Sequence, residues 1–232
     1  MHPTVTDDAE WRAARVALLA EEKALQAQRD ELAAKRRRLP WRKIVKDYRF
    51  TSEAGESDLG RLFGSCSQLL VYHFMFHPEW EAGCKSCSFW ADSYDRSVAH
   101  LAARDARLVV VSRAPLAKLL AYRERMGWTF PWYSSSDSDF NFDFDVSFSG
   151  AQVAAGDGAY NYREGNAPGL EMPGLSVFKK DAAGAVFHTY STYSRGLDPF
   201  NSTYQLLDVL PAGRDEASLE YPMAWLRRRD EY

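Results

Sequence analysis

The stretch HPEWEAGCKSCSFWAD, residues 77–92, holds Cys84 and Cys87, two of the three cysteines of the chain, in a C-x-x-C spacing. It follows SQLLVYHFMF, residues 67–76, a nearly continuous apolar run of the kind that forms a buried central strand. Behind the cysteines, apolar side chains recur at spacings of three and four over residues 86–104, which predicts a helix with one buried face. The cysteines are therefore expected where a buried strand is followed by a helix.

A second strand and a second helix repeat this order downstream. RLVVVS, residues 107–112, predicts another buried strand, and the helix after it should begin at Pro115 and end at Gly127. WTFPWY, residues 128–133, predicts a third, shorter strand. Strands that alternate with helices in this way form a parallel sheet with right-handed crossovers.

The segment that follows, residues 134–172, breaks the alternation. DFNFDFDVSF, residues 139–148, alternates strictly between aromatic or aliphatic and polar side chains, which predicts a half-buried strand. The remainder of the segment is rich in Gly, Ala and Asn and predicts a long functional or mobile loop. Residues 175–192 then predict a β-hairpin around Ala-Ala-Gly, and residues 200–210 predict a helix.

The N-terminal part of the sequence predicts one long helix over residues 7–38. Asp7 and Glu10 have the spacing of a capping box, and the segment is rich in good helix formers. We predict a helical arm over residues 1–47 and a globular domain over residues 48–232, with the 134–172 segment as an insertion. Large apolar side chains recur every seven residues along this arm, without the second apolar position of a coiled coil: Trp11, Leu18, Leu25, Leu32 and Leu39. The arm is therefore expected to lie on the body of the protein or on a partner subunit, with a homodimer as one outcome.

Composition narrows the classes of partner. With 46% hydrophobic and 26% charged residues the chain is typical of a globular protein, and its net charge of -3 gives no general attraction to nucleic acid or to an acidic membrane. We therefore expect neither partner. The N-terminus lacks the basic and apolar regions of a secretion signal, and the longest apolar run is too short to span a bilayer, which predicts a cytoplasmic protein. Structural disulfides are rare in that compartment, so a C-x-x-C there favours redox or metal chemistry.

Redox chemistry is the first hypothesis for the pair. At the start of the predicted helix, free N–H groups and the helix dipole stabilise an anion, which lowers the pKa of Cys84 and makes it a nucleophile at neutral pH. Cys87 lies one turn further in, near the apolar face, and suits the resolving role. This chemistry needs no cofactor and uses a disulfide or a thiol as substrate.

Two other hypotheses remain open. A copper or zinc ion would need Cys84, Cys87 and a histidine, for which His73 and His77 are the candidates. His73 equally fits a core histidine with one satisfied nitrogen. A non-catalytic interaction protein would keep the same fold and an inert, buried dithiol.

The order of elements resembles the thioredoxin fold, in which a C-x-x-C opens the first crossover helix and a hairpin half follows. The segment EMPGLSVFKKDAAGAVF places Pro173 where that resemblance implies a cis-proline facing the dithiol. It further implies that the backbone of Met172 pairs with an extended substrate. We expect Pro173, Met172 and Trp80 to contact the substrate.

More closely, the chain resembles an uncharacterised bacterial thioredoxin-like family, a domain of unknown function, within the thioredoxin and peroxiredoxin superfamily. The resemblance rests on LPW, LLVYHFMF, W-x-x-G-C-x-S-C-S-F-W-A-D, VVVSRAPL, MGWTFPW and SDFNFDF and covers the whole chain. It implies an α/β fold with a central mixed sheet flanked by helices and a thiol–disulfide oxidoreductase activity. Lys85 and Ser86 stand where thioredoxin has Gly-Pro, so no redox potential is implied.

Overall fold

The computed structural model describes residues 4–232, which divide into two compact units at Pro40 and Trp41. The helices are α1 (Asp8–Arg37), α2 (Lys85–Asp95), α3 (Val98–Ala102), α4 (Leu116–Met126), α5 (Phe140–Asp143), α6 (Gly150–Ala155) and α7 (Ser202–Leu207). The strands are β1 (Arg42–Lys43), β2 (Arg49–Ser52), β3 (Gly55–Asp58), β4 (Gln68–His73), β5 (Ala106–Ser112), β6 (Trp132–Ser134), β7 (Gly174–Lys180) and β8 (Val186–Tyr193). Short 3-10 turns lie at Arg61–Phe63, Tyr160–Tyr162, Ser194–Phe200 and Arg229–Glu231.

The first unit is the long helix α1, as the sequence predicts. The Asp7 carboxylate accepts a hydrogen bond of 2.9 Å from the backbone N–H of Glu10, which satisfies one of the free donors at the helix start. Acidic residues stand in its first turn and basic residues in its last, which complements the helix dipole. The side chains of its seven-residue repeat are all exposed, and the homodimer that the repeat suggests stays a prediction.

In residues 4–232, eight strands form one mixed sheet in the order β1-β8-β7-β4-β5-β6-β2-β3. The strands β4, β5 and β6 run parallel, and β7 pairs antiparallel with the other edge of β4. This is the thioredoxin-like arrangement, a βαβ half joined to a hairpin half, and the predicted fold class is confirmed. Because β1 pairs with β8, the globular unit begins at Trp41, before the boundary predicted after residue 47.

Successive residues of β4 and its extension point to opposite faces of the sheet, and each face has its own core. Tyr72 and Phe74 lie in the cluster that α2 and α4 cover, which is built largely of aromatic rings. Val71 belongs to the cluster on the other face, and the His73 ring stacks there on Phe140 with the ring centroids 5.5 Å apart. His73 and the α2 side chains are thus separated by the sheet.

The alternating segment 139–148 is not a strand, and that prediction is wrong. Phe140 and Phe144 are four residues apart, so one helical turn at α5 brings both onto the same core face, with ring centroids 4.7 Å apart. Beyond the turn, Ser147 pairs with Glu171 in an isolated antiparallel bridge. A strand would have buried Phe142 beside Phe140 and Phe144, but the turn carries Phe142 off the core face, where its ring lies 4.5 Å from the guanidinium of Arg113.

No helix in the part of the chain that the structure describes is both long enough and apolar enough to cross a membrane.

The buried His73 predicts a stability that depends on pH. Burial lowers the pKa of His73 to about 3, from an ordinary value of 6.5 in the unfolded chain. The contribution of the neutral His73 to the free energy of unfolding is complete above pH 6.5. It is lost as the pH falls towards 3, because between these two values the unfolded chain takes up a proton that the folded protein does not. The free energy of unfolding should therefore drop by about 1.4 kcal/mol per pH unit for this histidine.

Urea unfolding at pH 7, 6 and 5 measures this slope. His73→Gln keeps a polar group beside Ser176 and removes the titration, so its slope should be flatter than that of the parent protein. His100→Gln, at an exposed position, is the matched control. Equal slopes for His73→Gln and the parent would contradict the assignment.

Candidate functional site

The dithiol lies where β4 ends and α2 begins. Cys84 immediately precedes α2, and its backbone N–H donates a hydrogen bond of 3.1 Å to the carbonyl of Met75. The N–H of Met75 in turn contacts the Cys87 sulfur at 3.4 Å. One residue just past the end of β4 therefore anchors both cysteines.

The carbonyl of Cys84 is held on the helix side. Both the backbone N–H and the hydroxyl of Ser88 donate to it, at 3.0 and 2.9 Å. The same hydroxyl contacts the Tyr122 hydroxyl of α4 at 2.9 Å. Cys84 is thereby fixed relative to both helices that cover this face of the sheet.

The two sulfurs have opposite electrostatic environments. A hydrogen bond from the Cys87 thiol, helped by the N–H groups of Cys87 and Ser86 at the start of the helix, lowers the pKa of Cys84 to about 6. Burial raises the pKa of Cys87 well above its usual range, and the neighbouring Cys84 anion adds to this rise. All three cysteines are free thiols in this structure, with Cys84 partly exposed and Cys87 buried. The pair is therefore arranged as an outer thiolate beside an inner, protonated thiol.

The residue before the dithiol has no room for a side chain. A Cβ atom on Gly83 would lie 2.7 Å from the Phe74 ring and 2.9 Å from the Tyr122 ring. Its carbonyl accepts a hydrogen bond of 2.9 Å from the guanidinium of Arg228, which also donates to the Tyr122 hydroxyl at 2.8 Å. The C-terminal segment thus holds the loop that leads into Cys84.

A cavity of about 180 Å³ adjoins the dithiol on the side of Cys87. Its wall is mostly apolar, and Arg195 and Asp198 stand among its lining residues. The lining comes from four parts of the chain: β4 and its extension (Tyr72, Met75), α2 (Ser86, Cys87, Trp90), the end of the insertion (Tyr160, Met172, Pro173) and the C-terminal half (Ser194, Leu197, Met223).

Met172 and Pro173 lie at the dithiol cavity, next to Cys87, but not in the conformation expected of them. No cis peptide bond occurs within residues 4–232, so the bond before Pro173 is trans and the predicted cis-proline is a wrong prediction. The N–H of Met172 is also engaged, because it donates to the carbonyl of Val146 in the insertion at 2.8 Å.

Three other predicted residues lie away from the cavity. Trp80 does not line it; its ring lies 6.2 Å from that of His77, and its carbonyl accepts a hydrogen bond from Lys118. His73 is a core histidine, with Nε2 bonded to Ser176 at 2.8 Å and Nδ1 without a partner in the described chain. Among residues 4–232 no three His, Cys, Asp or Glu side chains are grouped so as to hold a metal ion, so neither histidine completes a copper or zinc site with the cysteines.

Several residues of the site carry no signal in the sequence. Arg228 is 145 positions from Gly83 and lies in a tail without regular secondary structure. Met223 and Tyr160 reach the cavity from segments whose course no periodicity predicts. Only Ser88, one helical turn after Cys84, has a spacing from which its contact with the Cys84 carbonyl follows.

Comparison with known proteins finds one matching family and several similar solved structures. The model of a family described as a bacterial protein of unknown function (DUF899) matches residues 1–232. None of the curated proteins compared with the chain matches it. The chain is similar in structure to the peroxidoxin BcpB of Mycobacterium tuberculosis (15% identity, 72% of this chain and 97% of that one, TM-score 0.47). It is also similar to peroxiredoxin Q of Xanthomonas campestris (13% identity, 67% and 85%, TM-score 0.47).

The lowered pKa of Cys84 predicts the pH profile of its alkylation. The rate with iodoacetamide follows the thiolate fraction, so it should rise through a midpoint near pH 6 and then level off. Cys87→Ala removes the donor that stabilises the anion most, and should move the midpoint up by about one pH unit or more. Mass spectrometry of the labelled peptide gives the rates. Cys66→Ser is the control, and an unchanged midpoint in Cys87→Ala would refute the role of Cys87.

The contacts of Arg228 predict a loss of stability on its removal. Arg228→Ala leaves the Gly83 carbonyl and the Tyr122 hydroxyl without their charged donor, which should lower the free energy of unfolding by about 1.5–3 kcal/mol. Urea unfolding measures this difference. The neighbouring Arg227 is exposed, so Arg227→Ala removes the same charge and should change stability by less than about 0.5 kcal/mol. Equal effects of the two variants would contradict the structural account.

Proposed function

The chain belongs to the DUF899 family of bacterial proteins, and we propose that it acts as a thiol–disulfide oxidoreductase through Cys84 and Cys87. The observation that carries this proposal is the geometry of the dithiol, with Cys84 partly exposed at the start of α2 and Cys87 buried one turn further in, and the opposite shifts of the two thiol pKa values agree with it. Cys84 is the group that attacks, because its pKa of about 6 leaves about 90% of it as thiolate at pH 7, against a few per cent for an ordinary cysteine.

The first step is attack of the Cys84 thiolate on one sulfur of a substrate disulfide. A bond forms between Cys84 and that sulfur, the substrate S–S bond breaks, and the other half leaves as a thiolate. Cys87 then gives its proton to the departing thiolate and attacks the Cys84 sulfur. This forms the Cys84–Cys87 disulfide and releases the second half of the substrate as a thiolate. Two electrons pass from the dithiol to the substrate, and an external dithiol restores the reduced protein.

The arrangement around Cys87 fits the resolving step. Burial keeps Cys87 protonated until Cys84 has reacted, which prevents both cysteines from attacking independently. The hydrogen bond from Cys87 to Cys84 already orients the inner sulfur towards the outer one. The lowered pKa of Cys84 also speaks against the alternative of an inert dithiol in a non-catalytic interaction protein.

A reductase assay coupled to an external dithiol tests the proposal. Cys84→Ser should lower the turnover of a disulfide substrate to the background of the external dithiol alone, because the remaining thiol of the pair, Cys87, is buried and protonated. With the disulfide substrate and no external dithiol, Cys87→Ser should accumulate a mixed disulfide on Cys84, visible as the mass of one substrate half, because the resolving thiol is missing.

Cys66→Ser serves as the control in both experiments and should behave like the parent protein, since Cys66 precedes β4 and the dithiol lies past the other end of that strand. The proposal fails if Cys84→Ser keeps the turnover of the parent protein.

A further inference from the structure

The insertion occupies the backbone that an extended polypeptide would need beside the dithiol. The segment 146–148 runs antiparallel to 170–172, with the N–H of Met172 donating to the Val146 carbonyl at 2.8 Å and the N–H of Phe148 to the Leu170 carbonyl at 3.0 Å. A substrate strand gains its affinity from these same main-chain groups. Addition of a substrate strand at Met172 is therefore blocked by the protein's own chain.

The main chain of Pro173, the next residue, is also hydrogen-bonded within the protein. The carbonyl of Pro173 accepts a hydrogen bond of 2.9 Å from the Tyr160 hydroxyl, and that hydroxyl accepts one of 2.9 Å from the N–H of Ser194. Tyr160 is buried and belongs to the cavity wall. The N–H of Met172 and the carbonyl of Pro173 are thus both engaged by residues of the insertion.

Cys87 lines a small cavity whose wall is mostly apolar. At about 180 Å³ the cavity is smaller than the usual site for a drug-sized ligand. Three methionines, Met75, Met172 and Met223, reach it from three separate segments. Methionine is flexible and polarisable, which suits a wall that must fit an apolar or sulfur-containing group.

The charged residues at the cavity are already paired. Asp198 lies 3.0 Å from Arg214 and 3.4 Å from Arg195, so its charge is compensated from both sides. Neither a strongly acidic nor a strongly basic ligand gains an unpaired partner from Asp198. Asp198 therefore does not select a charged ligand, and the mostly apolar wall of the cavity favours an uncharged arm.

From these observations we propose that the substrate of the dithiol is a low-molecular-weight disulfide with short uncharged arms, one of which occupies the methionine-lined cavity, and not a disulfide within an extended polypeptide. This inference rests on the proposed oxidoreductase function. The exchange is the one already described: one half of the substrate leaves as a thiol with the proton of Cys87, the other leaves as a thiolate that takes its proton from water, and the protein retains the Cys84–Cys87 disulfide.

Single-turnover reactions of the fully reduced protein test the inference without an external reductant. Bis(2-hydroxyethyl) disulfide serves as the small substrate and insulin as the polypeptide substrate. Each rate constant, followed by the loss of protein thiols, is divided by the rate constant of free dithiothreitol with the same disulfide, which removes differences in intrinsic reactivity. The parent protein should prefer the small disulfide by about tenfold or more on this scale.

Met223→Trp fills the cavity from the tail and should lower the rate with bis(2-hydroxyethyl) disulfide by about tenfold. Leu210→Trp places the same side chain at an exposed position of the C-terminal region and should leave the rate unchanged. The alkylation profile of Cys84 is recorded for both variants, and an unchanged midpoint shows that the dithiol itself is intact.

Two results would overturn the inference. One is an equal normalised rate for insulin and the small disulfide, and the other is a normal rate in Met223→Trp. Both leave the oxidoreductase function standing, because the thiols still exchange. A parent protein that reacts with neither disulfide, despite a Cys84 that is alkylated readily, would overturn the inference together with the function on which it rests.

Discussion

The pairing of β4 on both of its edges is the constraint on which the site depends. With β5 parallel on one side and β7 antiparallel on the other, the register of β4 is fixed from end to end. The strand therefore delivers Met75 to a defined point at the edge of the sheet. Because the carbonyl of Met75 binds the N–H of Cys84 and its N–H contacts the sulfur of Cys87, the sheet register also sets the position of the dithiol.

The difference between the two cysteines follows from that position. Cys84 stands outside the first turn of α2, where N–H groups are still free, whereas Cys87 has turned inward onto the aromatic core below the helix. A separation of three residues is what places one sulfur at the helix start and the other under it. The same short distance lets the inner thiol donate to the outer anion, so burial of Cys87 and activation of Cys84 are two effects of one geometry.

Local patterns predicted the framework of this site, and long-range contacts account for what they missed. The ends of α4 and the strands β4 and β5 follow from hydrophobic runs and from Pro115 and Gly127, all of them signals within a few residues. The run that contains His73 is apolar on both faces, so its sequence does not show on which face of the sheet the histidine lies. The metal hypothesis therefore included His73, which lies on the face opposite to the dithiol. Arg228 acts on Gly83 across most of the chain, and no local pattern encodes such a contact.

The position of the cavity wall at Met172 and Pro173 depends on contacts between the insertion and the central sheet. Glu171, which directly precedes Met172, is buried and receives hydrogen bonds from Arg113 at 2.8 Å and from Ser147 at 2.7 Å. Burial raises the pKa of Glu171 to about 7 even though both partners favour its anion. A buried carboxylate of this kind adds little net stability. Loss of either partner would leave its charge uncompensated, so the fold requires both partners in place. Arg113 follows directly on β5, so this ion pair ties the insertion to the central sheet, and the wall at Met172 and Pro173 is held to the same framework as the dithiol that it faces.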